Sequence, residues 1–163
     1  MDKQTRVAVN GTTFETRHGP WHAEWTPAGR ITRVSDGSID RHDTPPPAIA
    51  SMLEATRSFL AGGATWPDAR HLLDLSTATN FQRSVYSALL DLPPGATTTY
   101  SGLAQRIGKP AASRAVGAAL GSNPILLLVP CHRVIGRDGS LTGFAAGLSI
   151  KRRLLKLEGA LLV

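Results

Sequence analysis

The sequence predicts an α+β fold. A small N-terminal antiparallel sheet-plus-helix domain, residues 1–77, packs on a C-terminal, mainly helical winged helix-turn-helix domain, residues 78–163. Three observations predict it. Up to residue 36 short stretches alternate apolar and polar residues, the period of half-buried strands. Beyond residue 80 the period becomes helical, interrupted by a Gly-Lys-Pro turn. The charge divides at the same place: residues 1–79 hold 8 Lys and Arg against 9 Asp and Glu, and residues 80–163 hold 10 against 3.

The elements follow in order. "TFETRH" and "WHAEWT" alternate around the turn signal Gly19-Pro20, and "ITRVS" after "PAGR" adds a third strand. "DGSIDRHDTPPP" is a polar loop. Ile49, Met52, Leu53, Phe59 and Leu60 then recur as one helical stripe, closed by Gly62-Gly63. "HLLDLS" reads as a short strand, and "LSTATN" (75–80) as the junction between halves. "FQRSVYSALLDL" places Phe81, Val85, Ala88 and Leu89 on one helical face and stops at Pro93-Pro94-Gly95. Thr99 is suited to cap a helix carrying Leu103, Ala104 and Ile107 inward. Gly108-Lys109-Pro110 turns the chain into a second helix from about Ala111 to Leu120. "RVIGRDGSLTGF" predicts a hairpin around Asp138-Gly139, and "LSIKRRLLKLEG" a last helix that Gly159 can end.

Composition bounds the function. With 163 residues, 42% apolar and 18% charged, the chain is globular rather than disordered. One cysteine permits neither an internal disulfide nor a structural zinc site built on a cysteine pair. "MDKQTRVAVNG" has no apolar core of signal-peptide length, and no run approaches a membrane span. A soluble, cytoplasmic, monomeric protein is expected. His18, His22, His42 and His71 are expected on the surface and not as metal ligands.

A basic half suggests a polyanion, and a helix-turn-helix followed by a hairpin outlines a DNA-binding unit. Its second helix is poor in base readers. Ala111, Ala112, Ala115, Gly117, Ala118 and Ala119 leave Arg114 as the one long polar side chain. Small residues there either permit tight helix packing or bring the backbone close to the duplex. The second reading suits a minor-groove contact with one inserted arginine, independent of base sequence.

Cys131, within "VPCHRVIGRDG", is either a small buried hydrophobe or a nucleophile. As a nucleophile it needs a base, and His132 is adjacent. Neighbours in an extended segment point to opposite sides, so a bridging water is expected between them. The base in turn needs an orienting carboxylate. The C-terminal half offers only Asp91, Asp138 and Glu158. Glu158 sits at the wrong end of its helix for the dipole, on the inward-packing side. It is either a functional residue or a solvated helix end.

"PCHRVIG", preceded by "SRAVGAALGSNP" and followed by "GSLTGFAAGLSIKRRLLKLEG", resembles the O6-alkylguanine-DNA alkyltransferase family over residues 78–160. The resemblance implies that Cys131 takes the alkyl group of a flipped guanine as a stable thioether, once per molecule. It implies that His132 removes the thiol proton through a water, with Glu158 holding the imidazole. Tyr100 would donate to the guanine ring nitrogen, and Asn123 would brace the Cys131 loop. Arg114 would fill the stack left by the base. Thr99, Ser101 and Ser113 would touch phosphates, with Ala112 and Gly117 on the same DNA-facing surface. Tyr100, Val134, Phe144, Ala145 and Ala146 would line the base pocket. No cofactor or metal is implied, and the partner is double-stranded DNA containing O6-alkylguanine.

The chain departs from the family pattern at Phe144-Ala145-Ala146-Gly147, where Tyr-x-Gly-Gly is usual. A tighter pocket follows, suited to methyl rather than benzyl groups. "LGSNP" also lacks the basic residue often found before the asparagine, which implies weaker DNA affinity. Three other classes compete: a non-enzymatic lesion sensor that recruits repair factors, a cysteine hydrolase and a transcriptional regulator. Cys131 disfavours the first, the helix-turn-helix with Arg114 the second, and the Ala/Gly helix the third.

Overall fold

A computed structural model describes residues 9–161. Residues 1–8, most of the N-terminal stretch that lacks a signal-peptide pattern, lie outside the described residues. The fold is mixed α/β, with a three-stranded antiparallel sheet and five α-helices.

Strands β1 (Asn10–Thr16), β2 (Gly19–Trp25) and β3 (Ile31–Asp36) pair in the order β1-β2-β3. Phe14 faces Trp21, and Ala23 faces Val34. These four are all buried, so the alternation in the sequence is that of a sheet with one core face. The first reversal lies at Arg17-His18, because Gly19 already pairs with Thr16. Helix α1 (Pro47–Leu60) buries Ile49, Met52, Leu53, Phe59 and Leu60, the stripe expected of it.

"HLLDLS" is not a strand. Arg70–Leu72 form a single 3-10 turn, and only Leu73 bridges to Ile31. The reason is local: the carboxylate of Asp68 accepts from the Arg70 amide and that of Asp74 from the Ser76 amide, turning the chain on both sides.

Helix α2 (Asn80–Leu90) opens with a capping box, Thr79 and Gln82 each accepting from the other's backbone amide. Strand β4 (Thr98–Thr99) leads into α3 (Tyr100–Arg106), whose N-cap is Thr99 as expected. Helix α4 (Ser113–Gly121) follows the Gly108-Lys109-Pro110 turn, and Tyr86 of α2 donates to the Ala119 carbonyl at 2.9 Å. Helix α5 (Leu148–Leu157) ends at Gly159, which adopts φ 74°.

The expected hairpin at 133–144 is replaced by a different pairing. Strand β5 (Val134–Ile135) runs parallel to β4. The Asp138-Gly139 turn closes through Gly136 N–H to Ser140 O at 2.8 Å, but no returning strand follows among the described residues. Lys151 accounts for this, since its ammonium takes the carbonyls of Val134, Thr142 and Gly143 that a ladder would use.

The core is continuous from the sheet into the helices. Val34 exchanges backbone hydrogen bonds with the segment before Cys131, its N–H donating to Pro124 O and its carbonyl accepting from the Leu126 N–H. The third strand therefore anchors the loop that carries the cysteine.

Candidate active site

The loop 124–131 reaches Cys131 through two tight reversals. Leu128 N–H donates to Leu126 O around Leu127, which is held at φ 67°. Cys131 N–H donates to Val129 O around Pro130. A buried leucine in left-handed space costs about 1–3 kcal/mol, sustained here by complete packing. Asn123 makes three hydrogen bonds within the loop. Its amide donates to Val129 O at 3.1 Å and to Cys131 Sγ at 3.2 Å, while its oxygen accepts from the Ile125 amide at 3.0 Å.

Cys131 to Arg133 form a 3-10 turn rather than an extended segment, so the strand rule that sets Cys131 and His132 on opposite sides does not apply here. His132 is fully buried, and its Nε2 lies 2.7 Å from Glu158 Oε1. Glu158 ends α5 with a fully buried carboxylate, which disposes of the solvated-end reading. It accepts from four donors: His132 Nε2, Arg133 Nε at 2.9 Å, Arg133 Nη2 at 2.9 Å and the Gly95 amide at 3.1 Å. Gly95 is required there. It adopts φ 83°, and a Cβ would stand 2.8 Å from the Glu158 carbonyl oxygen.

These contacts decide the protonation pattern. Burial alone would raise the Glu158 pKa, but His132 and Arg133 together hold it at about 2. Glu158 is therefore an acceptor only, which puts the imidazole proton on Nε2 and leaves Nδ1 as a lone pair. Burial lowers the His132 pKa, so the ring is neutral. Nδ1 is the one buried side-chain polar atom without a hydrogen-bond partner among the described residues. Burial raises the Cys131 pKa, opposed by the Asn123 hydrogen bond and the Lys151 charge. At rest the sulfur is a thiol, and the next residue in the chain carries an unprotonated, unpartnered ring nitrogen.

Two charged residues of this site escape the sequence reading. Arg133 is 2% exposed and chelates Glu158 with two parallel bonds, and its Nη1 donates to Leu92 O. Lys151 is fully buried with three carbonyl partners and, among the described residues, no carboxylate. A signal for Lys151 was present: it lies three and four residues before Leu154 and Leu155, on the apolar face of α5. For Arg133 the signal was weaker, only its place inside "PCHR".

Cys131 opens onto a cavity of about 150 Å³ lined by Tyr100, Gly117, Leu120, Gly121, Gly143, Phe144 and Ala145. The Tyr100 hydroxyl pairs with Thr142 Oγ1 at 3.1 Å. A Cβ on Gly117 would meet the Tyr100 ring at 3.7 Å, an ordinary van der Waals contact. Two expected pocket residues lie elsewhere. Val134 is fully buried in β5 against β4, and Ala146 packs against the core.

Thr99, Ser101 and Ser113 line a second, shallow cavity of about 130 Å³ with Tyr100 and Arg137. Arg114 is exposed near the start of α4, while Ala112 is the N-cap of that helix. His42 and His71 are exposed, and His18 and His22 are half-buried.

Residues 80–160 match the family model for the DNA-binding domain of 6-O-methylguanine DNA methyltransferase. A methylated-DNA–protein-cysteine methyltransferase of Mycobacterium bovis is 48% identical over 148 residues, 82% of this chain and 88% of that protein. One from Methanosarcina acetivorans is 60% identical over 82 residues, and the match spans 50% of this chain and 53% of that protein. In three dimensions the chain is similar to Mycobacterium tuberculosis OGT in its crystal structure with DNA. That likeness has a TM-score of 0.79 and 38% identity, and covers 93% of each chain. A relative this similar over most of its length, with the matched segment enclosing Cys131, His132 and Glu158, places this chain in the methylated-DNA–protein-cysteine methyltransferase family.

Proposed function

We propose that the protein repairs alkylated DNA by direct reversal, moving one alkyl group, preferably methyl, from O6 of a flipped guanine to Cys131. The observation that carries this is a single cavity wall. Cys131, held by Asn123 and next to the neutral His132–Glu158 pair, faces the same 150 Å³ space as Tyr100. The sulfur–carbon bond forms as the O6–carbon bond breaks. His132 takes the thiol proton at Nδ1 through a water, and Tyr100 donates to the guanine ring nitrogen as it leaves. The net result is a thioether and neutral guanine: the proton Tyr100 gives to the base is made good by the one His132 took from the thiol. A thioether is not hydrolysed, so each molecule reacts once.

In this reading residues 1–77 form the scaffold domain and 78–163 the DNA-binding, alkyl-accepting domain. Helices α3 and α4 act as a helix-turn-helix, with the 134–142 segment as its wing. The relative solved with DNA supports duplex DNA as the partner. Thr99, Ser101 and Ser113 hold phosphates in the minor groove, Ala112 and Gly117 let the backbone approach, and Arg114 enters the stack. Contact is independent of base sequence, and the protein acts as a monomer in the cytoplasm, where a lone thiol stays reduced.

The test is intact-protein mass spectrometry after mixing with a duplex holding one O6-methylguanine. One methyl on Cys131, with no second turnover, is expected, and Cys131→Ser should gain none. Binding without a mass change would favour a lesion sensor instead. The same assay tests the pocket. With Phe144 as a wall of a 150 Å³ cavity, O6-benzylguanine in the duplex should react about tenfold more slowly than O6-methylguanine. Equal rates would refute a tight pocket.

A further inference from the structure

The chain between α1 and the 70–72 turn contributes one large side chain to the Glu158 network. The Trp66 indole lies 4.8 Å from the Arg133 guanidinium carbon and 5.4 Å, centroid to centroid, from the His132 ring. Phe59, near the end of α1, meets the indole edge-on at 4.7 Å and 77°. A row of rings thus runs from the sheet-and-helix half into the base that serves Cys131. Trp66 is not a wall of the Cys131 cavity. It borders a separate cavity of about 250 Å³, together with Arg133 and Pro130.

Arg133 spends three of its five in-plane N–H donors on Glu158 and Leu92 O. An aromatic ring covers a flat face of the guanidinium without competing for those donors. Water admitted to that face would weaken a buried ion pair whose other partner orients His132 Nε2. We propose that Trp66 is a positioning residue for the proton relay: its ring holds Arg133 against Glu158 and keeps bulk water from that ion pair, which orients His132. The proposal rests on the alkyl-transfer reading of Cys131.

The charged groups bearing on His132 are Glu158 at the end of α5, Lys151 within α5 and Arg133 in its own turn. The Trp66 and Phe144 segments present only rings to it. Burial is the largest influence lowering its pKa, and Glu158 opposes it. Opening the Trp66 wall relaxes that burial, so the His132 pKa rises toward its ordinary value.

The experiment measures the single-turnover rate of methyl transfer to Cys131 against pH, using the full chain and a duplex with O6-methylguanine. Trp66→Leu should slow transfer about fivefold near neutral pH, the size of one aromatic–cation contact, and move the acid limb of the profile to higher pH. Affinity for undamaged duplex should not change, and Trp66→Phe should restore most of the rate and the limb. A purely structural role would lower the melting temperature and leave the limb in place. A Leu variant with the wild-type rate and limb overturns the proposal, and so does a Phe variant as impaired as Leu. Should Trp66→Leu not fold, Phe59→Leu removes the edge-on support of the indole. A smaller shift in the same direction is then expected, and none overturns the proposal. Wild-type protein that gains no methyl at Cys131 overturns the alkyl-transfer reading itself, whatever Trp66 does.

Discussion

Glu158→Gln should lower folding stability by about 3–5 kcal/mol near neutral pH and suppress methyl transfer. The substitution leaves Arg133 as a buried cation without its counterion, the costly way to break such a pair. It also removes the acceptor that keeps the proton on His132 Nε2, so Nδ1 is no longer reserved as the base. The pH dependence gives an independent check. The Glu158 pKa falls from 4.5 in the free side chain to about 2 in the fold. A depressed carboxyl contributes stability that is present above 4.5 and lost as pH falls toward 2. The full shift corresponds to about 3 kcal/mol. Urea unfolding across that window should show a steep loss in the wild type. In Glu158→Gln the slope should flatten. An unchanged slope would mean that the carboxylate is not the group being titrated.

Lys151→Met should slow transfer by at least about tenfold while leaving DNA affinity close to wild type. Lys151 is fully buried, so it contributes nothing to phosphate contact. Its ammonium ties Val134, Thr142 and Gly143 together, and Thr142 in turn holds the Tyr100 hydroxyl over the cavity. Its charge also lowers the Cys131 pKa. Methionine fills similar space but provides neither effect. The thiol pKa then rises further, so the rate climbs to its plateau at higher pH than in the wild type. Unpartnered carbonyls cost about 1–3 kcal/mol of stability, which thermal melting can measure. A variant with a normal pH profile would reduce Lys151 to a packing role.

Local pattern carried a good deal of this protein. The three strands, the α1 stripe, the Thr99 cap and the Gly159 stop all depend on residues near in sequence, and each is where periodicity and capping place it. The two elements misread, "HLLDLS" and the 133–144 hairpin, fail for one reason. Strand formation needs a partner edge, and side-chain hydrogen bonds from Asp68, Asp74 and Lys151 claim the backbone first.

The residue types for thiol chemistry were legible in "PCHR" and in the misplaced charge of Glu158. Only the tertiary structure decided how they combine. Gly95, read as the end of a proline stop, donates to Glu158 across 63 residues, and Arg133 does so across 25. Trp66 reaches the same network from the other half of the chain. Carboxylate protonation, imidazole tautomer and thiol state follow from burial and from partners brought together by folding, and neither quantity has a local spacing in the sequence.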